Sequence, residues 1–223
     1  MSFKKQIDDY QEIWEKYSRQ IKEGKLEPRR EPVFYGRNLY DKNNPPFLAA
    51  VFMIPSTLWE SIQLIQVDLE QADPRQKYHQ PSFFHITLEE YGWEDQVDLG
   101  EVLQIMKKML ANYSSFEIQL KGLNCFPRTI YIQVFDASQS LFRIYKDIHK
   151  KFPNLKEEYP DYIPHVTIAD ILTDEARSLL TLIQKNYRIK EIGQIKVDRI
   201  HIVKAISYLS VGRIETIKTI KLA

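Results

Sequence analysis

Two short stretches, Ile163-Pro164-His165-Val166-Thr167-Ile168 and Phe84-His85-Ile86-Thr87-Leu88, share one pattern. Each is an apolar run interrupted by a histidine and, two residues later, by a threonine. Side chains at positions i and i+2 of a β-strand point to the same face of the sheet. The spacing therefore predicts that each histidine stands beside its threonine, with the apolar residues turned towards a core.

If the two strands share a face, they bring two imidazoles and two hydroxyls into one small volume. Two imidazoles can act as general acid and general base, and two hydroxyls can donate hydrogen bonds to an anion. A metal site would leave the threonines unexplained, and a serine nucleophile needs a tight turn such as G-x-S-x-G, which is absent here. Acid–base chemistry on a phosphodiester uses all four residues.

The composition is that of an ordinary globular chain, with 223 residues, 43% of them hydrophobic, and a formal net charge of +1. This charge gives no sign of a general affinity for nucleic acids, which would require a basic excess. The one cysteine, Cys125, excludes an intramolecular disulfide and a cysteine-based zinc site. With neither a signal peptide nor an apolar run of about 18 residues, the chain is expected to be a cytoplasmic protein that makes no membrane contact.

The hydrophobic periodicity predicts an α+β fold. The pattern strand, helix, motif strand, helix, strand occurs twice, and the two motif histidines are 80 residues apart. This order indicates an internal duplication. We expect two pseudo-symmetric lobes, each an antiparallel-rich sheet with flanking helices, whose His-x-Thr strands face a central cleft.

Residues 1–46 are expected to stand apart from the two-lobed domain of residues 47–223. Apolar residues spaced by three and four predict a helix that ends near Gly24, and a proline-rich connector follows it. We expect this helix to dock on the chain's own core in a monomer. A dimer formed through the helix is the alternative.

Capping boxes predict where two of the helices begin. Thr57 with Glu60, and Asp98 with Glu101, have the required spacing of three residues. Thr173 is a third candidate cap, for a helix over residues 174–187.

The paired motifs, together with Tyr91-Gly92 after the first and Phe126-Pro127-Arg128 before a strand, resemble the two-histidine phosphoesterase superfamily. Within it, residues 47–221 are most similar to the branch of 2′-5′ RNA ligases and RNA 2′,3′-cyclic phosphodiesterases. The resemblance implies that His85 and His165 form the acid–base pair and that Thr87 and Thr167 hold the phosphate. It implies no metal and no nucleotide cofactor.

The substrate implied by the resemblance is a nucleotide or RNA end that carries a 2′,3′-cyclic phosphate. The reverse reaction, with a 5′-hydroxyl in place of water, would be 2′-5′ RNA ligation. A 2′-5′ oligoadenylate, another small phosphodiester, or nucleotide binding without turnover are the alternatives.

Four further residues are predicted to influence substrate binding. Tyr162 and Phe84 are candidate stacking surfaces for a base, and Arg128 is a candidate phosphate contact. Strict alternation along the strand also places Glu89 on the face of the histidines, where its charge would disfavour a long polyanion.

Overall fold

The alternating apolar runs form one antiparallel sheet of nine strands in the described part of the chain. The computed structural model describes residues 3–25, 33–38, 41, 43–153, 155, 162–173, 175–205 and 214–223. The helices are α1 (Phe3–Lys22), α2 (Trp59–Ala72), α3 (Leu99–Leu110), α4 (Ser140–Lys151) and α5 (Arg177–Leu182). The strands are β1 (Val33–Phe34), β2 (Arg37–Asn38), β3 (Phe47–Met53), β4 (Lys77–Tyr78), β5 (His85–Trp93), β6 (Phe116–Phe126), β7 (Thr129–Phe135), β8 (His165–Asp170), β9 (Glu191–Val197), β10 (Arg199–Ala205) and β11 (Ile214–Lys221).

The strand order is β11-β10-β3-β5-β8-β7-β6-β9, with β4 pairing to β8 beside this path. The sheet thus consists of two halves of four strands, and each half has a motif strand at its inner edge. The halves meet at a single pair of opposed residues, Ile86 and Val166. The predicted α+β fold with two pseudo-symmetric halves is confirmed, although the halves share one continuous sheet.

Helices α2 to α5 cover one face of this sheet and bury its main hydrophobic core. The core contains Ile86 and Val166 at the junction, together with Ile62 of α2, Met106 of α3 and Ile144 of α4. We call the opposite face, which carries His85, Thr87, His165 and Thr167, the histidine face.

Helix α1 packs on the histidine face, over β6 and β7 of the second half. Its Tyr10 ring contacts the rings of Tyr131 and Phe135, and its Tyr17 ring contacts Phe126. Tyr10, Trp14 and Ile21 of the apolar stripe are buried, as expected for a helix docked on the chain's own core, whereas Ile7 is 46% exposed. The division of the chain at residue 46 stays a prediction.

The connector after α1 contains a small hairpin in which Val33 and Phe34 pair with Asn38 and Arg37. The turn residues Tyr35 and Gly36 have φ angles of 45° and 77°. Two consecutive positive φ values are typical of a tight hairpin turn. The rest of the predicted connector before residue 41 lies outside the described residues.

Two of the predicted helix starts are wrong. Thr57 lies in a short 3₁₀ turn, Ser56–Leu58, and no side chain caps α2. Thr173 does not cap α5, which begins at Arg177 and continues as a π-helical turn over Ile183–Tyr187.

No helix in the described part of the chain has the length and apolar character needed to cross a membrane.

The cap predicted at Asp98 is formed, because its carboxylate accepts a hydrogen bond from the Glu101 N–H at 3.1 Å. Replacing an N-cap acceptor with alanine typically costs about 1 kcal/mol. Asp98→Ala should therefore lower the free energy of unfolding by about 1 kcal/mol in urea denaturation. Thr57→Ala is the matched control, and it should change stability by less than about 0.5 kcal/mol because this exposed side chain caps nothing. Equal losses in the two variants would contradict the capping assignment.

Candidate active site

The register between β5 and β8 decides which side chains meet at the junction. Ile86 and Val166 lie directly opposite each other and are fully buried on the core side. Their neighbours in sequence therefore point to the histidine face. Because the strands are antiparallel, this register sets His85 opposite Thr167 and Thr87 opposite His165, with the two histidines on a diagonal across the junction.

Both motif strands carry a β-bulge at the same place, one residue after the threonine. In β5, Val51 pairs with Thr87 and Ala50 pairs with Glu89, so Leu88 is the extra residue. In β8, Tyr131 pairs with Thr167 and Ile130 pairs with Ala169, so Ile168 is the extra residue. A bulge interrupts the alternation of side chains between the two faces. The two halves thus share their local backbone geometry as well as their sequence pattern.

The first bulge overturns the prediction that Glu89 shares the histidine face. Leu88 and Glu89 are both buried, and a Glu89 carboxylate oxygen lies 2.6 Å from Nε2 of His149 on α4. The carboxylate is therefore placed on the helix side of the sheet. Strict alternation failed here because the extra residue in the bulge turns the position that follows it, Glu89, to the other face.

Each histidine is held through the same ring nitrogen. His85 Nδ1 lies 2.6 Å from the carbonyl oxygen of Phe83, and His165 Nδ1 lies 2.7 Å from that of Ile163. A carbonyl oxygen can only accept a hydrogen bond, so Nδ1 carries the hydrogen in both rings. The Nε2 atom of a neutral ring is then the acceptor, and it points away from the backbone anchor.

Each histidine also has a phenylalanine edge against its ring. Phe83 meets His85 at 5.1 Å and 80°, and Phe126 meets His165 at 5.2 Å and 81°. Phe83 itself stacks on His79, as Phe126 stacks on Tyr131. These aromatic contacts fix the two imidazole planes in the same way in each half.

Sequence reasoning missed Phe83 and Phe126, the two partly exposed rings nearest to the histidines. A signal for Phe83 was present, because it precedes His85 by two residues. Phe126 belongs to the Phe-Pro-Arg segment already quoted for the family resemblance, but its position beside His165 depends on the pairing of β6 with β7. His79 carried no sequence signal for its contact with the Phe83 ring.

Burial lowers the pKa of both imidazoles, because a charged ring loses solvation among aromatic neighbours. The pKa of His85 falls from 6.5 to about 4, mainly through burial, while its bond to the Phe83 carbonyl opposes the shift. The pKa of His165 is lowered for the same reason and is likewise opposed by the bond to Ile163. In the free protein at neutral pH, His85 is therefore uncharged.

The predictions of base stacking at Phe84 and Tyr162 are wrong. Phe84 is fully buried in the core, because it alternates with His85 along the chain. Tyr162 is only 8% exposed, and its ring stacks on Tyr145 with centroids 4.6 Å apart. Its hydroxyl donates to the Thr87 carbonyl at 2.9 Å, so Tyr162 links the two motif strands.

Arg128 lies in the turn between β6 and β7, half-buried, and its carbonyl accepts a hydrogen bond from Ile171 just beyond β8. A phosphate contact by its guanidinium stays a prediction.

A carboxylate lies near this turn: oxygens of Asp170, at the end of β8, lie 3.4 Å from His79 Nε2 and 3.7 Å from Lys77 Nζ. In the described part of the chain, no group of three or more His, Cys, Asp or Glu side chains is placed to hold a metal ion.

Two motif strands related by a pseudo-two-fold axis, each with an anchored histidine and a threonine, define a two-histidine phosphoesterase. The profile of the 2′-5′ RNA ligase superfamily matches residues 54–207, and the chain belongs to this superfamily. Residues 1–53, which include α1, lie outside the match.

Relatives and solved structures agree with this assignment. The RNA 2′,3′-cyclic phosphodiesterase of Methanothermobacter thermautotrophicus is 24% identical over 64% of this chain and 80% of its own length. The RNA 2′,3′-cyclic phosphodiesterase of Aquifex aeolicus is 28% identical over 63% of this chain and 78% of its own length. A solved protein of Thermus thermophilus is similar with a TM-score of 0.64 and 13% identity, over 79% of this chain and 97% of that one. E. coli LigT complexed with 3′-AMP is similar with a TM-score of 0.59 and 15% identity, over 80% of this chain and 99% of that one.

The lowered pKa of His85 can be measured directly by NMR titration of the imidazole protons. We expect a midpoint near 4 for His85 in the free protein. A phosphate anion bound between the rings stabilises their charged form, so saturating inorganic phosphate should raise this midpoint. His201, which lies two strands away on β10, serves as the internal control and should not respond to phosphate. A His85 midpoint at or above 6.5 would contradict the effect of burial.

Proposed function

We propose that the protein hydrolyses 2′,3′-cyclic phosphates at nucleotide or RNA ends by acid–base catalysis between His85 and His165. The observation that carries the proposal is the repeated anchoring of Nδ1, which leaves Nε2 of both imidazoles available for proton transfer. The diagonal placement supports it as well, because opening a cyclic phosphate needs a base and an acid on opposite sides of the phosphorus.

In the proposed reaction, one Nε2 accepts a proton from water as the water oxygen bonds to phosphorus. The bond from phosphorus to one ribose oxygen breaks, and that oxygen takes a proton from the second imidazole, which leaves a phosphate monoester. Thr87 and Thr167 donate hydrogen bonds to the non-bridging oxygens, whose charge is concentrated in the transition state. Each threonine is well placed for this role, because it neighbours the histidine of the other strand.

The lowered pKa values bear on how the proton of the reaction is held. The anionic substrate raises the pKa of nearby imidazoles, so one ring can hold a proton in the complex although the free His85 ring is neutral. Burial lowers the pKa of both imidazoles, so either Nε2 can act as the base while the other ring, protonated in the complex, gives its proton to the leaving oxygen.

The choice of substrate rests on the relatives, which are named RNA 2′,3′-cyclic phosphodiesterases. LigT is recorded with 3′-AMP and with ATP, so a related fold accepts adenine nucleotides. The position of Glu89 on the helix side removes the charge that sequence reasoning had placed against an RNA chain. The same groups acting in reverse on a 5′-hydroxyl would join RNA ends by a 2′-5′ bond.

A panel of 2′,3′-cyclic mononucleotides, cyclic-phosphate-ended RNA and 2′-5′ oligoadenylates tests the substrate class. We expect hydrolysis of the cyclic phosphates to monoesters, with 2′-5′ oligomers cleaved more slowly. Tight nucleotide binding without any product after prolonged incubation would contradict catalysis.

Side-chain replacements test the four proposed roles. Thr87→Val and Thr167→Val should each lower kcat by about 10²-fold, the lower end of the effect of removing an oxyanion donor. His85→Ala and His165→Ala should cost more, and the double variant little beyond either single one, because the pair acts as a unit. Thr219→Val, three strands from β5 and about 14 Å away, is the matched control and should keep full activity. Normal activity in both motif threonine variants, with folding verified by circular dichroism, would contradict the proposed phosphate contacts.

A further inference from the structure

The backbone carbonyl just before each motif histidine is held differently in the two halves. In the first half, the Ile54 N–H donates directly to the Phe84 carbonyl at 2.9 Å. By the register of the strands, Val134 is the residue of the second half that corresponds to Ile54, and it lies opposite Pro164. The described hydrogen bonds do not connect Val134 directly to Pro164.

The Tyr10 hydroxyl of α1 stands between these two groups instead. It accepts a hydrogen bond from the Val134 N–H at 3.0 Å, and it donates to the carbonyl of Pro164. Tyr10 thus inserts one side chain into the strand ladder where the first half has a backbone hydrogen bond.

The Tyr10 hydroxyl also lies 2.9 Å from the Val134 carbonyl oxygen, and its contact with the Pro164 carbonyl is the shorter of the two. The Val134 carbonyl accepts a hydrogen bond from Gln6 Nε2 at 2.9 Å. A proline has no N–H to donate to the facing strand, so this bond from α1 satisfies a carbonyl that Pro164 cannot reach. In the first half, the corresponding carbonyl of Ile54 accepts a hydrogen bond from the Trp59 indole N–H at 2.9 Å.

Helix α1 is fixed at this point by a buried polar layer. The Tyr10 side chain is 2% exposed, and its backbone carbonyl accepts a hydrogen bond from Asn124 Nδ2 at 2.7 Å. Arg188 contacts the same segment of α1. Its Nη2 lies 3.4 Å from the Tyr10 carbonyl oxygen, and its guanidinium lies 4.8 Å from the centre of the Trp14 ring. These contacts leave the Tyr10 ring little freedom to move.

We propose that Tyr10 is a positioning residue for His165, supplied to the site by a helix outside the family match. Its hydroxyl fixes the peptide plane between Pro164 and His165, from which the imidazole projects towards its anchor on Ile163. Tyr10 does not act on substrate. The catalytic consequence rests on the proposed function, whereas the effect on the His165 ring does not.

Tyr10→Phe tests this role, because it keeps the buried ring and removes only the hydroxyl. In nitrogen-15 NMR spectra of the imidazoles, the signals of His165 should shift while those of His85 stay unchanged. With a cyclic mononucleotide as substrate, kcat should fall by about 10-fold or more with little change in KM, since a small displacement of a catalytic group can cost up to about 10²-fold. A residue that served only stability would lower the melting temperature and leave both readings as they were.

Two further variants complete the experiment. Gln6→Met removes the neighbouring bond of α1 to Val134 and should shift His165 by a smaller amount, which keeps the test decisive if Tyr10→Phe does not fold. Tyr113→Phe removes a hydroxyl bonded to Asp147, outside the site, and should shift neither histidine. Unchanged His165 signals in folded Tyr10→Phe would overturn the positioning role. If Tyr10→Phe does not fold, unchanged His165 signals in Gln6→Met would overturn it. Shifted signals in a protein without phosphodiesterase activity would retain that role and reject the proposed function.

Discussion

The candidate site depends on one contact between the two halves of the sheet, the pair formed by Ile86 and Val166. Both side chains are fully buried, so this pair is tied to the core and sets the register of the two motif strands. A shift of one residue in either strand would turn its histidine and threonine into the core. The buried pair therefore ensures that all four polar side chains reach the same face.

The two halves repeat their local devices around this contact. Each motif strand has a bulge after its threonine, a backbone carbonyl on Nδ1 and a phenylalanine edge against the imidazole. Because both histidines are oriented in this way, the site offers two similar proton-transfer groups facing one space. Burial also lowers the pKa of both imidazoles, so the negative charge of the substrate is needed to hold a proton on one of them.

The sequence predicted these strands well where the period-2 pattern was strong, and it failed where backbone detail decides. His85 and Thr87 could be placed on one face from their spacing alone. The position of Glu89 could not, because nothing in the local sequence signals the extra residue in the bulge. Tyr162 was assigned to base stacking, but its contacts with Tyr145 and Thr87 join parts of the chain far apart in sequence.

Helix α1 breaks the symmetry of the molecule. Its periodicity predicted a docked helix, and the structure places it on the histidine face of one half only. The link from Tyr10 to Pro164 could not be predicted, since it depends on the crossing of α1 over β7. One half of the site is thus completed by its own strands, and the other by a segment outside the superfamily match.

A crystal structure of the protein with a nucleoside 3′-monophosphate tests the central claim most directly. The phosphate should lie between the two imidazoles, with Nε2 of His85 and of His165 each about 2.6–3.2 Å from a phosphate oxygen. The hydroxyls of Thr87 and Thr167 should contact the remaining oxygens. A phosphate bound away from this position, or contacting one histidine strand alone, would contradict a site built from both halves of the sheet.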